Sequence, residues 1–155
     1  MKVLIRSLIL SVLLVPAAAL AAGDNAPAAS PRDPTLERVS NATAQKDWPA
    51  AQAILRDAIS RNPDNPDYHN MYAYTIRKGA SPDMNLVFKH YNEALRIDPK
   101  HRGAHEYIGE AYLMVGNLPK AKEHLSTLDK LCFFSCEEFT DLKKAIAEFE
   151  SKPKQ

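Results

Sequence analysis

The sequence predicts an all-α fold, a short solenoid of about three helix pairs followed by a capping helix. Three observations predict it. Apolar and small residues return in register at intervals of 34 to 37 positions, prolines close two of the repeating segments, and the last segment carries one clean apolar stripe.

The chain has 155 residues, with 20 Lys and Arg against 19 Asp and Glu. Its first segment is the layout of a secretory signal peptide: Met1, Lys2 and Arg6, then an apolar run from Ser7 to Leu20 and the small-x-small pattern Ala19-Leu20-Ala21. That run is shorter than the roughly 20 residues a membrane-spanning helix needs. The expectation is residues 1–21 as a cleaved leader, export to the periplasm or beyond, and no stable membrane insertion afterwards. Loss of Lys2 and Arg6 leaves 18 basic against 19 acidic residues. Such a balance gives no basic stripe for nucleic acid or an anionic membrane. Residues 22–32, rich in Ala, Pro, Asn and Ser, have no apolar period and read as a disordered tether.

The repeats start at Asp33. Three segments beginning at Trp48, Leu86 and Leu118 align as second helices of successive pairs. Ala51, Leu55, Ala58 and Pro63 match Val87, Tyr91, Ala94 and Pro99 at an offset of 36, and Ala121, Leu125 and Leu128 follow 34 later. The first helices align through Met71, Tyr72 and Gly79 with Ile108, Gly109 and Gly116 at 37, which places a three-residue insertion in the turn 79–85. In the first pair, Asp33 caps a helix with Pro34 at its first position, and Leu36, Val39, Ala42 and Thr43 give it a thin apolar face. Small residues at crossing points let helix axes approach, and Pro63 and Pro99 stop their helices. No pair can bury its apolar face alone, so stacking and a cap are required.

The cap is read in residues 136–150, where Phe139, Leu142, Ile146 and Phe149 share a face. Ser135 and Glu138 have capping-box spacing. Cys132 and Cys136 flank the joint before it. In an oxidising compartment they are expected to form a disulfide that fixes the cap locally. The alternatives are a thiol–disulfide exchange pair, against which the three-residue spacing speaks, and an incomplete zinc site with two of four ligands.

These residues resemble the tetratricopeptide-repeat family over about 33–131. Gly109, Tyr112, Gly116, Ala121 and Leu125, with Ala94 and the Ile97-Asp98-Pro99 ending, carry the likeness; Phe133 stands where a third proline would fall. The resemblance implies a right-handed solenoid with repeats near 33–64, 65–101 and 102–134, and a domain covering 33–152. The stretch LCFFSCEEFTDLKKAI, with HRGAHEYIGEAYLMVGNLPKAKEHL before it, also resembles small exported bacterial proteins of this family, which implies a periplasmic location.

In that family ligands lie along a concave groove lined by the first helix of each pair. The corresponding positions are His69, Ala73 and Arg77, then Glu106, Glu110 and Met114, spaced to share one face. Arg77 offers a fork suited to a carboxylate, and Glu106 and Glu110 suit basic side chains. The subclass that grips a C-terminal carboxylate needs polar partners that Ala73 and Met114 do not supply, although Asn70 matches one of its positions. The expected partner is therefore a peptide or protein segment, with no cofactor. His101 and His105 are spaced four apart, but His101 falls in the turn after Pro99, and nothing in the pattern joins His69, His90 and His124 to them. No metal site is expected. No nucleophile elbow, phosphate-binding loop, metal-hydrolase pair or haem motif is present, so the chain reads as a scaffold and not as an enzyme. The six tyrosines fall at repeat positions and are expected mainly in the core, while Phe133 and Phe134 divide between burial and exposure. Oligomeric state is left open.

Overall fold

A computed structural model describes residues 33–152 as seven helices, with no strand among the described residues. They are α1 (Pro34–Ala44), α2 (Trp48–Arg61), α3 (Pro66–Arg77), α4 (Met84–Ile97), α5 (Arg102–Met114), α6 (Leu118–Leu131) and α7 (Glu137–Ser151). The signal peptide expected at 1–21 and the tether at 22–32 lie outside the described residues. None of the helices is long and apolar enough to cross a membrane.

Side-chain caps start six of the seven helices. Asp33, Asp47, Asn65, Asp83 and Asn117 accept hydrogen bonds from the first free amides of α1, α2, α3, α4 and α6. Proline occupies the first turn of four helices, where its missing amide costs nothing. His101 takes the same role for α5, its Nδ1 accepting from the Ala104 amide at 3.1 Å. The expected capping box of α7 is not formed. Cys136 is the N-cap without a side-chain bond, and Ser135 Oγ instead meets Thr140 Oγ1 at 3.2 Å. One residue too early to reach the first amides, Ser135 bonds along the helix side.

The helices stack as antiparallel pairs α1/α2, α3/α4 and α5/α6, with α7 against α5 and α6. The turn 78–83 of the second pair is longer than the turns 45–47 and 115–117 of its neighbours, and the insertion falls there. The N-caps Asn65 and His101 are 36 apart and Asp83 and Asn117 are 34 apart, so the first helices align at 36 and not 37, and the excess is two residues and not three. The two short turns share a left-handed residue, Lys46 with φ 57° and Gly116 with φ 75°. The aligned second-helix positions Ala51, Leu55, Ala58, Val87, Tyr91, Ala94, Ala121 and Leu128 are all buried. Leu125, partly exposed, packs at the edge of the last cluster. Tyr68, Tyr72 and Tyr91 are in the core, and Tyr107 and Tyr112 pack partly buried against it. Phe133 and Phe134 are both exposed, 94% and 83%, which corrects the expectation that one would go under the cap. The short link 132–136 projects them outward. Cys132 and Cys136 are held with their Cα atoms 5.7 Å apart and their sulfurs at bonding distance.

One close approach sets the cap. A Cβ on Gly109 of α5 would lie 2.6 and 2.8 Å from the two methyl groups of Leu142 and 3.3 Å from its Cγ. Leu142 is fully buried, and rotating its methyls does not remove the Cγ contact. Gly109→Ala is therefore expected to destabilise the protein by about 1–2 kcal/mol despite alanine's better helix propensity. The measurement is urea unfolding of Gly109→Ala alone and in a Leu142→Ala background. The expected result is that the penalty disappears in the second background; an equal penalty in both would contradict the contact.

Candidate functional site

Because the connections are short, the first helices α3 and α5 lie side by side, and α7 continues the series beyond α5. They form one wall. At its centre Tyr74 and Tyr107 are in contact, ring centroids 4.9 Å apart, and Trp48 meets Tyr74 edge-on at 6.2 Å. The guanidinium carbon of Arg77 lies 5.7 and 5.6 Å from the two tyrosine centroids, a cation–π geometry.

Arg77 is buried and ion-paired, although its Nη2 has no hydrogen bond of good geometry among the described residues. Its Nε donates to the Tyr91 hydroxyl at 3.2 Å and its Nη2 lies 2.6 Å from Glu110 Oε2. Burial pushes the Tyr91 hydroxyl up, so it stays neutral and can accept. The fork expected to meet a partner's carboxylate thus meets one supplied by the next repeat. Removing Glu110 would leave the buried Arg77 charge without a counter-ion and at its full desolvation cost.

The other predicted residues fall in different settings. Ala73 is fully buried between helices, where its small side chain allows close packing. Met114, 52% exposed, sits at the far end of α5. Glu106 is only 8% exposed and pairs with no cation among the described residues. Burial, then the charges of Glu110, Asp141 and Glu138, push its carboxyl up to about 8, against a smaller opposing effect of Arg77. Glu106 and Glu110 face the wall together; His69 does not join them.

His69 turns instead toward α4. Its Nδ1 is 2.9 Å from His90 Nδ1, and its Nε2 is 2.8 Å from the Pro63 carbonyl. The carbonyl only accepts, so Nε2 carries the proton of neutral His69, and His90 Nδ1–H donates to His69 Nδ1. The same device recurs one repeat on. His105 Nδ1 is 2.9 Å from His124 Nδ1 and its Nε2 is 3.0 Å from the Pro99 carbonyl. The pairs tie each repeat to the proline that ends the previous one. Sequence reasoning missed them, although His69 to His105 and Pro63 to Pro99 have the offset of 36, and His90 to His124 the offset of 34, that aligned the second helices. A second chain of contacts also joins repeats: Tyr68 Oη donates to Asp33 at 2.7 Å and His101 Nε2 reaches Asp67 at 3.0 Å. Both carboxyls are held below their ordinary range, chiefly by these hydrogen bonds.

Pairing and stacking together give an all-α solenoid of the tetratricopeptide-repeat fold. Solved structures share this fold. The type III secretion translocator chaperone SycD of Yersinia enterocolitica superposes with a TM-score of 0.65 at 13% identity, over 75% of this chain and 81% of that one. The TPR2B domain of yeast Sti1, in a pHsp70 complex, gives 0.64 at 18% identity, over 74% and 94%. The first such domain of Spaghetti (RPAP3), bound to the HSP90 peptide SRMEEVD, gives 0.62 at 18%, over 76% and 91%. In sequence, the TPR repeat-containing thioredoxin TTL4 of Arabidopsis thaliana is 31% identical over 91 residues, which are 58% of this chain. The chain spans 13% of that relative's length. No protein-family model matches the chain.

The histidine pairs carry a pH prediction. Burial, then the facing histidine, pull His90 and His124 down to about 4 from 6.5; Lys89 and Lys120 act the same way, Glu93 and Glu123 against it. The unfolded rings therefore take protons first. Their contribution to stability is complete above pH 6.5 and is lost as pH falls from 6.5 to 4. Glu106 works in the opposite sense, adding stability as pH falls from about 8 to 4.5, its ordinary value. Comparing urea midpoints at neutral and mildly acidic pH, the drop on acidification should be smaller in a His90→Gln/His124→Gln variant than in the unsubstituted protein. Equal drops would remove the assignment.

Proposed function

We propose that this chain is an exported adaptor or assembly module that holds a segment of another protein along the wall of α3, α5 and α7, and that it performs no catalysis. The observation that carries this reading is the wall itself. Tyr74, Tyr107 and Met71 offer apolar contact beside the acidic side chains Glu106 and Glu110 and the exposed Met114, which suits an extended segment with alternating apolar and polar side chains. The solved relatives of this fold include domains in complex with peptides, which supports the same use here.

Location is part of the proposal. The leader pattern at 1–21 and the likeness of LCFFSCEEFTDLKKAI to small exported bacterial proteins support a periplasmic site of action. There, Cys132 and Cys136 stay oxidised as a brace for α7. Glu137 and Glu138 adjoin Cys136 in the first turn, a setting that disfavours an attacking thiolate, so the pair is structural and not an exchange site.

A photo-crosslinking amino acid at Met114 or Tyr107, with Lys89 on α4 as control, tests the groove in a bacterial periplasm. Adducts with another exported protein from the two groove positions, with none from Lys89, are expected. Equal labelling from Lys89, or none anywhere, would count against it. The mass of the recovered chain should correspond to cleavage near Ala21. The Cys132–Cys136 couple should have a reduction potential below about −300 mV; a value near −200 mV would favour thiol exchange instead.

A further inference from the structure

We infer that the cavity between α3, α5 and α7 receives the cationic side chain of a lysine or arginine belonging to the segment bound along the groove. The inference rests on the groove reading and adds to it the chemistry of one contact. The cavity has a volume of about 250 Å³ and is lined on its polar side by Asn70, Glu106, Glu137, Glu138 and Asp141.

Four carboxyl groups from two helices surround this space. One of them, Glu138, has a partner: Arg102 Nε lies 3.5 Å away, on an exposed side chain at the rim. Glu106, Glu137 and Asp141 form no ion pair among the described residues. Arg77, whose charge also acts on Glu106, is bound to Glu110. The cluster does not stand alone. Asn70 lines the same cavity, is 5% exposed, and its buried Oδ1 has no hydrogen-bond partner among the described residues. A buried amide oxygen without a donor costs about 1–3 kcal/mol. An incoming N–H donor satisfies it and the carboxylates together.

Shape selects a side chain over a bare ion. Among the described residues no three His, Cys, Asp or Glu groups converge as a metal site. The cavity is several times the roughly 30 Å³ of a water molecule, and its apolar flank is Met71 and Tyr107. A lysine or arginine stem can lie on that flank while its head reaches the acids. Gly103 keeps the floor open, since a Cβ there would come within 3.3 Å of Asn70 Nδ2. The raised carboxyl of Glu106 fits the same picture: burial is its first cause, and the neighbouring acids Glu110, Asp141 and Glu138 add to it.

Fluorescence anisotropy of the chain without its leader tests the inference, using labelled decapeptides of Leu, Ala and Ser with one central Lys, Arg, Gln or Glu. The Lys and Arg peptides should bind about ten-fold more tightly than the Gln peptide, and the Glu peptide more weakly than any. Glu106→Gln/Asp141→Asn should erase the preference and leave Gln-peptide affinity unchanged. Asp141→Asn alone, on the exposed face of α7, should reduce the preference even if the double variant fails to fold. Equal Lys and Gln binding, or a preference that survives the substitutions, overturns the cationic pocket and leaves the groove standing. Absence of binding by every peptide overturns both.

Discussion

Everything in this protein depends on α5 fitting between α3 and α7. No helix pair here can bury its own apolar face, so the core exists only where pairs stack. Gly109 removes the side chain that would hold α7 away, and Leu142 fills the space it leaves. The cap then covers Leu113 and Leu128 and completes the second apolar cluster. The same approach sets Asp141 and Glu138 opposite Glu106, so packing and the acidic cavity have one cause. A looser cap would dissolve the site before it dissolved the fold.

Much of the fold was legible because the physics that makes it is periodic. Ala51, Val87 and Ala121 hold one structural position, and each is buried. The insertion showed as a mismatch between two offsets and lies in the turn 78–83, although it is one residue shorter than the offsets implied. Among the caps, Asp33 was read from the sequence and holds, while Asp47, Asn65, Asp83 and Asn117 emerged only in the structure. The capping box at Ser135 failed, since the spacing exists but the helix begins at Glu137, with Cys136 as its N-cap. Phe133 and Phe134 failed for a related reason: hydrophobicity argues for burial, but a three-residue link between two cysteines has no interior to offer.

The site was harder to read because helical spacing says which residues share a face and not what crosses over to meet them. His69, Ala73 and Arg77 are four apart, yet the face they share is covered. α4 reaches His69 with His90 and Arg77 with Tyr91, and α5 brings Glu110 to Arg77. Repetition was the usable signal for the histidines, since both pairs and both prolines keep the repeat offsets. For Glu106 no local signal existed. Its burial and its acidic neighbours come from α7, some thirty residues further along the chain, and only the stacked fold brings them together.

Charge follows the same logic across the wall. At one end Arg77 is enclosed by two tyrosine rings and neutralised by Glu110, so that region is electrically complete and presents mainly aromatic surface. At the other, acids outnumber the cations that reach them. A partner segment would thus meet an apolar, satisfied half and an unsatisfied anionic half, and the second is where selectivity can arise. The most direct test is an NMR titration of the Glu106 side-chain carboxyl in the free protein. The account predicts a midpoint near 8; a midpoint at the ordinary 4.5 would mean that the cavity is open to water and the stacked wall is not as described.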